Sequence, residues 1–290
     1  MIVADGLALP EAPLLLPDGS WLVAELDVRV GTVTRIFSDG SKQAVAKTGR
    51  PNGLALGRDG AVWVCESLSP ALLRMELDGT FTRELTAVEG RALLWPNDLC
   101  FGPDGALYVT DSGILVGDFL IDGAPRPGCE SLPIDGFLYR FDPSSGAAWL
   151  LDDGLRFTNG VAFGPDGLLY ANETITGNVY RYRLEAGRVA GERELFGNVL
   201  DPDYTQAGLR GPDGMAFSAD GRLWVTVFGQ GDVTVLGTDG AVLERLRVGG
   251  RGPTNVAFGP SGDPTIYVVE DEHGRLESVG VGVEGLPLYN

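Results

Sequence analysis

What this chain lacks narrows its chemistry before any motif is found. Its 290 residues include one histidine, His273, and three cysteines, Cys65, Cys100 and Cys129. A single imidazole excludes a multi-histidine zinc site and argues against a Ser-His-Asp hydrolase. The cysteines are far apart and lack Cys-x-x-Cys spacing, so no disulfide framework is expected and a reducing cytoplasm fits. Cys65 and Cys100 stand inside strand-like runs, as small buried hydrophobes do. Cations are scarce too: 22 Lys plus Arg face 40 Asp plus Glu, for a net charge of -18. Such a surface repels phosphate backbones and anionic lipid, so neither nucleic acid nor membrane is an expected partner. There is no apolar run of about 18 residues to span a bilayer. The opening MIVADGLALPEAP lacks the basic start and apolar core of a signal peptide. No long helical period appears.

What is present is a repeat. Six segments align: PEAPLLLPDGSWLVAE from Pro10, PNGLALGRDGAVWVCES from Pro51, PNDLCFGPDGALYVTDS from Pro96, TNGVAFGPDGLLYANET from Thr158, PDGMAFSADGRLWVTVF from Pro212 and PTNVAFGPSGDPTIYVVE from Pro253. Each reads as a short apolar strand, a tight turn and a second strand rich in Val, Tyr and Trp. A third strand follows in every unit and a fourth in five. Four strands recurring at roughly 40 to 50 residues are the pattern of propeller blades. The expected fold is an all-β, six-bladed β-propeller over residues 1–290 as one domain. The sixth unit has no room for a good fourth strand, so IVADGLAL at the N-terminus is expected to pair there and close the ring.

In a blade the first strand lies along the central channel, so the residue opening it sits at one mouth. Six positions converge there: Glu11, Asn52, Asn97, Asn159, Asp213 and Thr254. Taken singly, Asn52 and Asn159 read as turn residues before glycine, and Asp213 as part of a Pro-Asp-Gly turn. Taken together, two carboxylates and three amides aimed at one axis would be left unsatisfied unless something bound them. No Lys or Arg fills any of the six positions. Oxygen donors without His or Cys suit a hard divalent cation, calcium before magnesium, manganese or zinc. A second set, Glu25, Glu66, Asp111, Glu173 and Glu270, ends the second strands on the same side, with Val227 in the fifth blade. These satisfy loop amides or support the inner ring. His273 lies near that mouth as a surface imidazole. Insertions after Asp111 and before Asp213 fall on the same side, where long loops shape access.

These residues resemble the senescence marker protein, gluconolactonase and luciferin-regenerating enzyme-like family. The motifs are Glu11 in PEAP, Asn97 in PND, Asn159 in TNG and Asp213 in PDGM, in order over nearly the whole chain. The resemblance implies a calcium-like metal held by Glu11, Asn159 and Asp213, with Asn97 as ligand or substrate contact. It also implies lactone hydrolysis, with diisopropyl-fluorophosphatase as a related activity. Trp95 stands where sugar-lactone members tend to carry Arg, and Glu-Ala-Pro replaces Glu-Gly-Pro. Trp95, with Ile114, Leu115 and Phe119, suggests a less polar substrate, unless it simply packs between blades.

The expected function is therefore metal-dependent hydrolysis of a small cyclic ester in the cytoplasm. The cation polarises the carbonyl, Asp213 acts as general base or ligand, and Asn97 and Trp95 contact substrate. The alternatives are a phosphotriesterase on the same metal and a non-catalytic propeller binding module.

Overall fold

Each of the first four blades turns on an Asp-Gly pair. At Asp18, Asp59, Asp104 and Asp166 the carboxylate Oδ1 accepts the backbone N–H two residues on, at 3.1–3.2 Å. Gly19, Gly60, Gly105 and Gly167 follow with φ of 75–85°, the left-handed conformation that closes such a turn. The computed structural model describes residues 1–289. Hairpins of this kind build six four-stranded antiparallel sheets, five of them running in sequence order from the axis outward. The innermost strands are Pro10–Leu15, Pro51–Leu56, Pro96–Phe101, Thr158–Phe163, Gly211–Phe217 and Pro253–Phe258. The second strands are Trp21–Glu25, Val62–Glu66, Leu107–Asp111, Leu169–Glu173, Leu223–Phe228 and Thr265–Glu270. In the last blade Ile2–Ala4 pairs with Arg275–Gly280 and closes the ring as the sequence predicts.

The hydrophobic core has no single centre. It is divided among the six interfaces between neighbouring blades. Leu22 and Val62 belong to one such cluster, Val109 and Trp63 to the next, and Val23 and Val269 to the one that joins last blade to first. Second strands are covered on both faces, and four of them are buried at every residue. That explains why they read as near-continuous apolar runs rather than as alternating ones. Outer strands such as Lys42–Lys47 and Phe81–Leu85 are largely exposed.

One local feature recurs in all six blades. The pairing of first and second strands shifts register just after the axial residue, between Glu11 and Leu14, Pro51 and Leu54, Pro96 and Leu99, Thr158 and Val161, Pro212 and Met215, and Pro253 and Asn255. A bulge there bends the strand and re-aims one side chain. Beyond the bulges, the far halves of the inner strands line a mostly apolar channel of about 540 Å³, and residues Gly285–Tyr289 help line it. Among the described residues no helix is long and apolar enough to cross a membrane.

Candidate metal and substrate site

The six bulges bring Glu11, Asn52, Asn97, Asn159, Asp213 and Thr254 to one end of the channel. Five are buried and Asp213 is half-buried. Three of them have the backbone fixed from the blade next door. Thr110 donates to the carbonyl oxygen of Asn159 (2.6 Å), Asn172 to that of Asp213 (2.7 Å) and Thr226 to that of Thr254 (2.8 Å). Thr254 departs from the expected set: its hydroxyl donates back to the Pro10 carbonyl (2.7 Å), one residue before Glu11. It therefore locks last blade to first.

The two best-defined amides are oriented alike. Asn97 Nδ2 donates to Ser112 Oγ (2.9 Å), and Asn159 Nδ2 donates to Thr174 Oγ1 (3.1 Å). Ser112 and Thr174 pass the bond on to the carbonyls of Thr158 and Pro212. Tying down the nitrogen leaves the amide oxygen as the free end. Asn159 Oδ1 is buried and has no hydrogen-bond partner, an arrangement that normally costs 1–3 kcal/mol. An oxygen donor sealed from water beside two carboxylates fits a small hard cation.

The electrostatics point the same way. Burial pushes Glu11 up to about 7, against the opposing hydrogen bond from Asn255 Nδ2 to its Oε1 (2.8 Å). Burial raises Asp213 well above the usual carboxylate range, and the Glu11 charge adds to the rise. Two carboxyls that resist ionising side by side are matched by a divalent positive charge between them.

The second set of acids has the bland role among those considered. Glu66 accepts the Arg50 N–H (2.9 and 3.0 Å), Asp111 the Leu94 and Trp95 N–H groups, Glu173 the Arg156 N–H, Glu270 the Gly252 N–H and Glu25 the Ala8 N–H. Each carboxylate clamps the backbone two or three residues ahead of an axial side chain. Val227 has no such group; in that blade buried Asp232 binds Gln230 and Thr234 instead. His273 Nδ1 lies 3.0 Å from Glu270 Oε2 at the rim of the sixth blade. Its ring is exposed, as expected of a surface imidazole. With Glu270 and Glu272 it forms an acidic cluster, but Glu270 already accepts the N–H groups of Gly252, Glu272 and His273.

Trp95 is only 4% exposed. Its ring meets Phe119 and Phe157 edge-on at 5.9 and 5.2 Å, within a cluster that also holds Ile114, Cys129 and Ile134. This seventh cluster is the insertion folded over the mouth, built from the short helix Val116–Phe119, a two-residue hairpin and the 3-10 turn Cys129–Ser131. Leu209 from the other long loop packs against it. Leu115 does not join; it is 45% exposed. Trp95 thus packs under the insertion rather than lying bare to the mouth.

Four charged or polar groups were not singled out by the repeat. Asp98 and Asn255 occupy the position after the axial residue, where three other blades carry glycine. The spacing explains the pairing of types: a Cβ at Gly53 would come within 2.7 Å of Asp98 Cα, and one at Gly214 within 2.0 Å of Asn255 Cγ. Burial raises Asp98 to about 7. Arg50, two residues before Asn52, lies 4.7 Å from the Trp95 ring; burial pulls its guanidinium down to about 10, against the attraction of the nearby acids Glu66, Glu11, Asp271 and Asp213. The expectation that none of the six positions is basic holds, but the mouth is not without a cation. Asp271, just past Glu270, has a buried Oδ1 with no partner. A charged residue inside an otherwise apolar or turn-forming repeat position was the available signal for Asp98 and Arg50.

Known proteins are similar to this chain in sequence and in fold. A gluconolactonase from Zymomonas mobilis is 28% identical over 226 residues, 75% of this chain and 60% of that protein. A pentonolactonase from Haloferax volcanii is 34% identical over 182 residues, 61% of this chain and 60% of that protein. The chain therefore spans about 60% of the length of either relative. The solved structure of a gluconolactonase from Xanthomonas campestris superposes with a TM-score of 0.78 at 24% identity, covering 98% of this chain and 89% of that one, a likeness of fold. The sequence model of the SMP-30/gluconolactonase/LRE-like region matches residues 9–270, from the strand that carries Glu11 through the one that ends at Glu270. This chain belongs to that family.

Proposed function

We propose that this protein hydrolyses a small lactone with a divalent cation, calcium foremost, held by Glu11, Asn159 and Asp213. The observation that carries the reading is the unpartnered, buried Asn159 Oδ1 beside two carboxyls whose ionisation burial opposes. The lactonases among its relatives support the substrate class.

When bound, such a cation supplies Lewis acidity to an ester carbonyl. The chain's own residues do the rest. Glu11 is turned by Asn255 and enclosed, which suits a ligand rather than a proton carrier. Asp213 is the less buried carboxyl and is assigned the proton acceptor. It takes a proton from the water that adds to the carbonyl carbon. The ring C–O bond then breaks, and the departing oxygen takes that proton back from Asp213, giving a hydroxy acid. Asn97, fixed by Ser112, offers its remaining amide hydrogen and its oxygen to the substrate. The insertion over Trp95 limits water at the mouth.

Metal analysis of the purified protein, with a panel of lactones and phosphotriesters assayed before and after chelation, tests this reading. Lactone turnover should vanish on chelation and return with calcium. Asp213→Asn should lower kcat/KM by roughly 100-fold or more, as removal of a general base does. Undiminished lactone hydrolysis in metal-free protein would overturn the proposal, and faster phosphotriester turnover would reassign the substrate.

A further inference from the structure

The axial channel is a second cavity, distinct from the candidate metal site at its mouth. It begins at the residues that follow the axial side chains, Ala12, Asp98 and Asn255, and runs to Gly285–Tyr289 at the opposite face, enclosing about 540 Å³. The sixth blade lines it with four consecutive strand residues, Asn255–Phe258, about 13 Å of strand rise. The space is therefore longer than a single ring and closed toward the metal side by polar residues.

Its width has a local cause. The fifth residue of the inner strand is small in five blades: Ala55, Cys100, Ala162, Ala216 and Ala257. Each faces an aromatic partner on the second strand, as Ala55 faces Trp63 and Ala216 faces Trp224, so the blade itself needs a short side chain there. The same shortness leaves room on the axis. Although they stand on innermost strands, Cys100, Ala162, Ala216 and Ala257 are only half-buried. One residue further on, Phe101, Phe163, Phe217 and Phe258 form an apolar rim at the far end.

A strap crosses that rim. Gly285 pairs with Ser218, and the Leu286 N–H donates to the Phe217 carbonyl (2.8 Å). Gly285 passes so close to the sixth blade that a Cβ would stand 2.4 Å from Phe258 Cβ. Tyr289 then meets Phe163 edge-on at 5.8 Å, while Pro287 and Leu288 between these anchors are exposed. The strap thus touches the rim in the fourth, fifth and sixth blades and covers the channel without filling it.

The side-chain wall selects the occupant. Polar side chains are confined to the two ends, Ser261 and Glu284 at the far face, Asp98 and Asn255 at the inner one. An aliphatic chain gains along the whole length between them. A charged head would have to shed its water to pass the aromatic rim. A carboxylate would in addition meet Asp98 and Glu11, the latter bonded to Asn255 at 2.8 Å. A neutral hydroxyl escapes both penalties and can bond to either inner group. We infer that the channel is a second ligand site, for a neutral, elongated aliphatic molecule with a hydroxyl head, entered from the face away from the metal and covered by the Gly285–Tyr289 strap. It requires neither a metal nor lactone chemistry, so it stands independently of the function proposed above.

Calorimetric titration of the whole protein with 1-octanol, 1-hexanol, octanoate and octylamine tests the site. Octanol should bind about 15-fold more tightly than hexanol, at about fourfold per methylene, and more tightly than either charged analogue. Octyl methanethiosulfonate locates it, because Cys100 lines the channel whereas Cys65 and Cys129 are buried. Peptide mass mapping should find the octyl disulfide on Cys100, and octanol should protect that thiol. Tyr289→Ala should speed the labelling several-fold; an unchanged rate removes the strap as the cover. Ala162→Leu and Ala216→Leu, which fill the widest level, should weaken octanol about tenfold or more. A folded leucine variant that binds octanol like wild type overturns the site. So do no octanol binding by wild type, equal or tighter binding of octanoate or octylamine, and labelling that leaves Cys100 free. Should the leucine variants fail to fold, the protection of Cys100 in wild type decides.

Discussion

At the residue scale the controlling fact is that acids are held where ionisation is opposed. Burial raises Glu11 and Asp98 to about 7 each. Between the ordinary carboxylate range and about 7, the folded protein keeps protons that the unfolded chain has released. Proton binding is then greater in the native state, so stability is fully present at low pH and declines as pH rises through that window. In metal-free protein the unfolding midpoint should therefore fall from pH 5 to pH 7, with roughly 2 kcal/mol attributable to Glu11 alone. A divalent cation competes with the same protons, so its affinity should weaken below about pH 7 and its addition should flatten the profile. Thermal melts across that pH range with chelator and with calcium measure both, and a flat metal-free profile would show that these acids ionise freely.

At the element scale the insertion after Asp111 behaves as a small core of its own. Its cluster contains Trp95 and Phe157 from the loops that lead into the third and fourth blades, and it is separate from the six cores between blades. Phe119 is 1% exposed and sits 4.6 Å from the Phe157 ring. Phe119→Ala should cost the insertion about 3 kcal/mol of packing. Because that packing supports the lid rather than the ring, the loss should appear as faster amide exchange and proteolysis within residues 112–135 and as a several-fold higher KM. Global unfolding should shift less. A fall in global stability by the full amount, without local opening, would mean the insertion unfolds only with the propeller.

At the scale of the whole molecule, ring closure is the weak seam. Only Ile2–Ala4 completes the last blade, aided by Ser278 N–H donating to the Met1 carbonyl (2.7 Å) and Thr254 bonding the Pro10 carbonyl. Removing residues 1–4 would expose the Arg275–Gly280 edge as a template for strand addition. We expect a loss of about 2 kcal/mol or more in equilibrium unfolding and concentration-dependent association by light scattering. Unaltered stability and a monodisperse monomer would show that the seam is carried by the inner strands alone.

The blade count, the closing strand and the axial positions were legible in the sequence because a propeller repeats one local rule six times. Asp-Gly turns and apolar runs are short-range features, and register follows from them. Even the bland role of Glu66 and Asp111 was within reach, since loop amides near an inner strand need an acceptor. Arg50, Asp98, Asn255 and Asp271 were not legible in the same way. Their meaning depends on which blade stands next to which, a relation the linear order does not display. Gly53 beside Asp98 and Gly214 beside Asn255 are pairs only in the closed ring. Trp95 illustrates the same division: its sequence position fixed it near the mouth, but the folding of the insertion decided that it would be covered. Local hydrogen bonding wrote the architecture into the chain, while the balance of buried charge emerged only when six blades met.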